Sequence, residues 1–307
     1  MKKILAGIVI VFICCFPLYA VFGTAGGAAP FLRTGVGARA LALSGAFTAY
    51  YDEATCSYWN PAAIALQKKA SVSSMFSWLT QERAYNFFNV QFPSEYGSFA
   101  FNVINFSAGA IEGRLTDTAD YYTFTDSESA YFATYGRQIF KNIYMGLNLK
   151  YIHQALDTYG ANGVSFDLGT LIKFNDFASF GLVFQDLAGN LQWTTGTVDK
   201  IPLLMRFGTL LKFLDGDVKW SIDAEENEFE GVSFKTGVET VIIKIISLRV
   251  GISYGASNYK FDYTFGGGLK YAFGNFIFQL DYCFLKEEFY RVFEANHKLS
   301  LDVYFNI

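Results

Sequence analysis

The 307-residue chain is short of charge, of histidine and of cysteine. Charged residues make up 17% of it, against about a quarter in an ordinary soluble domain. The formal net charge is −4 and no basic stripe exists, so nucleic acid is excluded as a partner. The two histidines, His153 and His297, sit outside any Ser/His/Asp set or metal-ligand spacing. The chain is therefore expected to be no enzyme, with no catalytic residue, no metal and no cofactor. Two of the four cysteines fall in the first twenty residues, which leaves Cys56 and Cys283, too few for a disulfide scaffold. After residue 20 no apolar run is long enough for a membrane helix.

What is present in quantity is aromatic: 19% of the chain, with Phe 33 and Tyr 20, beside Gly 28. From about residue 70 these residues alternate with polar ones. In Phe276-Ile277-Phe278-Gln279-Leu280-Asp281-Tyr282-Cys283-Phe284 the even positions are large and apolar. Ile143–Tyr151, Val218–Asp223 and Phe261–Phe273 repeat the pattern. Strand side chains point to opposite faces in turn, so each run has one apolar and one polar face. The polar face collects Lys150, Asp167, Arg206, Lys219, Asp223, Lys235, Glu239, Arg249, Asp262, Lys270, Asp281 and Asp302. Charges of both signs on one face suit the lumen of a transmembrane barrel, while the opposite apolar face suits lipid.

Turn chemistry recurs near residues 93–95, 141–142, 175–176, 215–217, 244 and 274–275. Longer polar stretches fall between, at 108–126, 154–162, 188–200, 225–231, 255–260 and 286–296. Outer-membrane barrels segregate short periplasmic turns from longer external loops in this way. The spacing predicts an all-β, antiparallel barrel of about fourteen strands over 69–307, each near the 9–11 residues that cross a bilayer at a tilt. The last stretch, Leu299–Ile307, keeps the alternation to the C-terminal residue.

The first twenty residues have the layout of an export signal: Lys2 and Lys3, an apolar centre from Ile4 to Phe16, and Ala20 as a cleavage position. Residues 21–68 do not alternate. Gly35-Val36-Gly37-Ala38-Arg39-Ala40 approaches the dinucleotide-binding fingerprint, yet no strand precedes it and no helix–strand alternation follows, as that fingerprint requires. Small residues such as Gly35, Gly37, Ala38, Gly45 and Ala46 suit close packing in a narrow space. Asn60 is a good N-cap, Pro61 fits a first helical position, and Ala62–Leu66 complete one turn. The stretch reads as a compact plug in the barrel lumen. Arg39, its one central charge, needs a carboxylate partner, since an unpaired buried charge is costly. Asp52 and Glu53 are placed to pair with an arginine or to hold a cation. Cys283 shares the lumen parity and Cys56 lies in the plug, so either a bridge or two free thiols is possible.

Residues 31–65 resemble the N-terminal segment of the PorV/PorQ family, which belongs with the FadL-like outer-membrane barrels. Gly35, Gly37, Arg39, Gly45, Ala46, Phe47, Asp52, Glu53, Trp59, Asn60, Pro61 and Ala62 carry the match; Ser44 stands where a glycine is frequent. The resemblance implies a fourteen-stranded barrel whose lumen is closed by an N-terminal hatch, in the outer membrane of a Gram-negative-type bacterium. It implies a part in type IX secretion, with a translocon or secreted cargo domain as partner. The FadL-like side implies instead an uptake channel for hydrophobic small molecules such as long-chain fatty acids. That second role calls for an apolar pocket between hatch and wall, for which Ile152, Val183, Leu204, Leu210 and Ile277 are candidates.

Overall fold

In a computed structural model the described residues are 27–114, 116–256, 260–289 and 292–305. The export signal expected at 1–20 and the C-terminal Ile307 lie outside them. The wall begins with β1 (Ala70–Trp78), β2 (Ala84–Ser94), β3 (Gly97–Gly113), β4 (Tyr122–Phe140) and β5 (Ile143–Leu156). It continues with β6 (Tyr159–Lys173), β7 (Ala178–Trp193), the three-residue β8 (Val198–Lys200), β9 (Leu204–Phe213) and β10 (Val218–Asn227). It ends with β11 (Gly231–Ile242), β12 (Ile246–Gly255), β13 (Lys260–Phe273), β14 (Phe276–Phe289) and β15 (Val292–Phe305).

Apart from β8, each strand pairs antiparallel with the next along the chain, β7 pairing with β9, and β1 pairs with β15 from Ala70↔Phe305 to Trp78↔His297. The ladder thereby closes on itself. β8 pairs only with the end of β7, so the closed barrel has fourteen strands among the described residues. Closure leaves no sheet edge, which is the condition for carrying a backbone through lipid.

The two faces follow from the pleat. On β5 the side chains of Met145, Leu147, Leu149 and Tyr151 are exposed, while Tyr144, Asn148, Lys150 and Ile152 are buried. On β14, Phe276, Phe278, Leu280 and Tyr282 point out, and Gln279, Asp281 and Cys283 point in. An apolar belt repeated on this scale is far larger than a water-facing surface tolerates, and lipid is the solvent it fits.

Strand length departs from expectation. β3 has 17 residues and β4 has 19, well beyond the bilayer minimum. The segments read as long loops at 108–126 and 154–162 are largely strand, leaving 157–158 as a tight turn, and of 286–296 the described residues 286–289 and 292–296 are strand. Past the bilayer both faces meet water, so the alternation fades from the sequence while the backbone ladder continues. The opposite end carries the tight turns at 95–96, 141–142, 174–177, 214–217, 243–245 and 274–275.

Candidate functional site

The segment from Gly27 to Leu66 lies inside the barrel and forms most of the buried core. Its regular pieces are one or two turns long: Pro30–Arg33 and Pro61–Leu66 as 3-10 helix, Ala38–Leu41 and Cys56–Trp59 as α-helix. Gly35, Gly37 and Gly45 adopt φ of +80°, +82° and +75°, the left-handed region that favours glycine. A Cβ at Gly35 or Gly45 would also press on the Trp59 ring, at 3.1 and 3.0 Å. The Trp59 indole N–H donates to the Val36 carbonyl at 3.0 Å, and Tyr58 donates to that of Leu32 at 2.6 Å. Phe47 stacks on Tyr50 with centroids 4.2 Å apart. The opening glycines thus shape a plug around an aromatic centre, and no nucleotide is needed to account for them. Ser44, at φ 54°, holds the same left-handed conformation and donates its N–H to Thr264 at 3.1 Å.

Asn60 caps the Pro61 turn by accepting from the Ala62 N–H at 3.0 Å. Its amide also donates to the carbonyls of Thr48 (2.9 Å) in the plug and Thr170 (3.1 Å) in the wall. One residue thereby ends the Cys56–Trp59 helical turn, starts the Pro61–Leu66 turn and ties the plug to β6.

The wall meets the plug through glycine. Gly136, Gly146 and Gly169 are register partners on β4, β5 and β6. A Cβ at these positions would lie 2.7 Å from Ile64, 2.3 Å from Pro61 and 2.3 Å from Asn60. Gly181 on β7 faces Thr48 at 2.3 Å; Gly237 and Gly251 on β11 and β12 face Leu43 at 2.7 and 2.4 Å; Gly266 on β13 faces Ala42 at 2.4 Å. Glycine on the inner face lets plug backbone lie directly on strand backbone. This belt went unread in the sequence, although its signal was there as glycine at inward parity.

A charged clamp completes the seat. Arg39 donates from Nε and Nη2 to both oxygens of wall Glu239, at 2.7 and 2.8 Å. Its Nη1 reaches Asp52 and Glu53, each at 3.1 Å. Lys219 bonds Asp52 at 2.9 Å and Glu239 at 2.8 Å; Arg249 joins Glu239 (2.7 Å) to Asp281 (2.6 Å). Burial raises the Glu53 carboxyl against the pull of Arg39, to about 6. For Asp52, burial pushes up, but Arg39 and Lys219 outweigh it and hold the group well below the usual carboxylate range. Carboxylate oxygens of Glu53, Asp281 and Asp302 lie within 4.8 Å of one another, all buried.

Two further clusters flank the clamp. Lys150 pairs with Asp167 (2.6 Å) and Asp186 (2.9 Å), and plug residue Arg33 pairs with Asp186 at 2.7 Å. Arg206 and Lys235 share Glu225 at 2.6 and 2.9 Å, and the Arg206 guanidinium lies 5.0 Å from the Trp59 ring centre. Asp223 accepts from the Thr48 N–H at 2.9 Å. Of the charges read as lumenal, Lys150, Asp167, Arg206, Lys219, Asp223, Glu239, Arg249 and Asp281 are buried on the inner face. Lys235 and Asp262 are half-buried, and Lys270 is exposed, with its ammonium 5.6 Å from the Tyr304 ring centre. Cys56 and Cys283 are both buried and both free.

Ile152, Val183, Leu204 and Leu210, read as candidates for an apolar pocket, are fully buried, and Ile277 is half-buried. The volume they were expected to enclose is filled. Among the described residues, cavities open toward each end of the barrel. A cavity of 440 Å³ at the longer-strand end is floored by Gly27–Pro30 and walled by Leu156, Leu191, Trp193 and Phe229. The tight-turn end has one of 840 Å³ beside Tyr51, Lys212, Phe213 and Lys219. Plug residues line both, Pro30 on one side and Tyr51 on the other.

No family model and no curated protein sequence matches the chain. Solved structures do. The toluene transporter TodX of Pseudomonas putida aligns with a TM-score of 0.62 at 13% identity, over 89% of this chain and 98% of that one. The CymD monoaromatic hydrocarbon channel aligns at 0.59 and 13% identity, with the same coverage. A Pseudomonas aeruginosa FadL homologue aligns at 0.60 and 10% identity, over 92% of this chain and 100% of that one. The chain has the fold of the FadL/TodX-type outer-membrane barrels.

Proposed function

We propose that this protein is an outer-membrane uptake channel for hydrophobic small molecules, closed at rest by its own N-terminal plug. The observation that carries this is the pair of cavities separated by a plug that is bonded to the wall through titratable side chains rather than covalently. In this reading residues 1–20 are an export signal, 21–68 a hatch and 69–307 the barrel. Gly35, Gly37, Gly45, Phe47 and Trp59 keep the hatch compact. Arg39, Asp52 and Glu53 latch it to Glu239, and Asn60–Ala62 seat it on the glycine belt. A ligand enters at the outer cavity, and passage requires the latch to loosen. The fold neighbours named for toluene and monoaromatic hydrocarbons support this over a secretion role, which rests on the PorV/PorQ-like motif of residues 31–65 alone.

Toluene uptake into zwitterionic proteoliposomes tests the reading. Reconstituted protein should raise the initial rate several-fold over protein-free vesicles. An unchanged rate, together with co-purification of a large secretion complex, would favour the secretion role instead.

A further inference from the structure

A notch interrupts the lipid-facing belt on β13. Gly267 stands on the outer face between Phe265 and Leu269, with Leu248 of β12 and Tyr282 of β14 as its register partners. Where a side chain is missing, a groove of 270 Å³ opens, bordered by Ile246, Leu248, Leu269, Leu280, Tyr282 and Leu299. We propose that this groove and the β11–β12 turn beside it bind one phospholipid of the leaflet on the tight-turn side. An acyl chain fills the groove, and the phosphate meets Lys244. At 270 Å³ the space is smaller than the sites that enclose a whole ligand, and it suits part of a chain. It is continuous with the apolar surface that already faces lipid, so hydrocarbon reaches it without crossing water. The site lies on the outside of the wall, separate from the uptake path.

The turn supplies the polar half of the site. Residues 242–246 read Ile-Ile-Lys-Ile-Ile, and all five are exposed, Ile243 at 73%. Ile243 and Lys244 take φ of 48° and 59°, a left-handed conformation that a β-branched residue adopts only at a cost. The tight turns at 141–142, 174–177, 214–217 and 274–275 each hold Asn, Asp or Gly, which enter that region readily. A turn facing water gains nothing from isoleucine there, whereas one seated at the headgroup–acyl boundary gains apolar contact. Lys244 is the one charge in this stretch, and no carboxylate among the described residues pairs with it. Asp215 and Asp217 of the β9–β10 turn stand across β11 from the groove. A lysine on a flexible stem at the bilayer surface attracts lipid phosphate. Ile246 belongs both to this turn and to the groove lining, so the headgroup and chain contacts adjoin.

Native mass spectrometry of the delipidated protein in mild detergent, titrated with dioleoylphosphatidylglycerol, counts the lipid that stays bound. The wild type should retain one lipid saturably. A Cβ at Gly267 meets only the Ser247 carbonyl oxygen, at 3.6 Å, so the backbone tolerates Gly267→Leu and the new side chain fills the groove. Affinity should then fall about tenfold. Lys244→Gln should weaken phosphatidylglycerol binding about fivefold and leave unmoved the binding of dioleoylglycerol, which has the same chains and no phosphate. A heat-dependent gel shift establishes that both variants are folded; should Gly267→Leu fail it, Lys244→Gln, on an exposed turn, carries the test. Equal retention in the wild type and the folded variants, displacement of the lipid by inorganic phosphate, or a lipid-free dimer would overturn the proposal.

Discussion

Adding one methyl group at Gly146 should unseat the plug without breaking the barrel. The new Cβ of Gly146→Ala would stand 2.3 Å from the carbonyl carbon and oxygen of Pro61 and 2.5 Å from the Ala62 nitrogen, all backbone. Ordinary contact begins near 3.4 Å, so the Pro61 turn must retreat by about 1 Å. Sideways movement is blocked, because Gly169 and Gly136 on the adjacent strands hold Asn60 and Ile64 equally close. The turn must therefore lift into the lumen, away from the Thr170 carbonyl that Asn60 bonds at 3.1 Å. Overpacking costs about 1–3 kcal/mol and the lost hydrogen bond about 1 more. A seat weakened by roughly 3 kcal/mol opens about a hundredfold more often. In planar bilayers the variant should show frequent open events, and hydrogen exchange should quicken across 38–66. Gly160→Ala is the control, since its nearest neighbours stand at 3.7 and 3.9 Å. Conductance and exchange in Gly146→Ala equal to those of the control would refute the reasoning.

Removing the guanidinium in Arg39→Met strips Glu239, Asp52 and Glu53 of a shared partner. Breaking a buried pair from one side costs about 3–5 kcal/mol, so this variant should leak more than Gly146→Ala, and adding Glu239→Gln should recover part of the loss. The latch should also respond to pH. Glu53 in the seated plug titrates at about 6, above the 4.5 of a free glutamate, so the seated state holds its proton more tightly. That contribution is full below pH 4.5 and lost as pH rises through 6, amounting to roughly 2 kcal/mol by pH 7. Exchange across 48–60, corrected for its intrinsic rate, should be slower at pH 5 than at pH 8; the reverse order would contradict the assignment. Cys56 and Cys283 should both appear as free thiols by intact mass under non-reducing conditions, and both should resist alkylation until the protein is denatured.

The wall was legible where a single rule decides it. Along 143–152 burial on one face and lipid on the other force a strict period of two, and the sequence displays it. Arg39 could be assigned a carboxylate partner by the cost of an unpaired charge, and Asn60-Pro61 announced a capped turn. Other features had no such single determinant. Asp186 was missed because β7 carries a bulge there: its pairing with β6 shifts register at Phe166, and Asp186 takes φ 60°, so it follows Gln185 onto the inner face. Parity counting fails after such a step. The overlong strands were missed because water on both sides removes the pattern and leaves the ladder. The outer cavity was missed because Asp126, Gln154, Trp193 and Phe229 meet only once the barrel is closed.

The central claim is a closed cylinder with lipid outside and protein inside. Single spin labels placed in turn at 145 and at 147–152, in protein reconstituted into vesicles, test it directly through collision with molecular oxygen. The account predicts high oxygen accessibility at 145, 147, 149 and 151 and low values at 148, 150 and 152, where side chains are buried against the plug and its charged neighbours. Uniform accessibility along the series, or a maximum recurring every three to four residues, would contradict it.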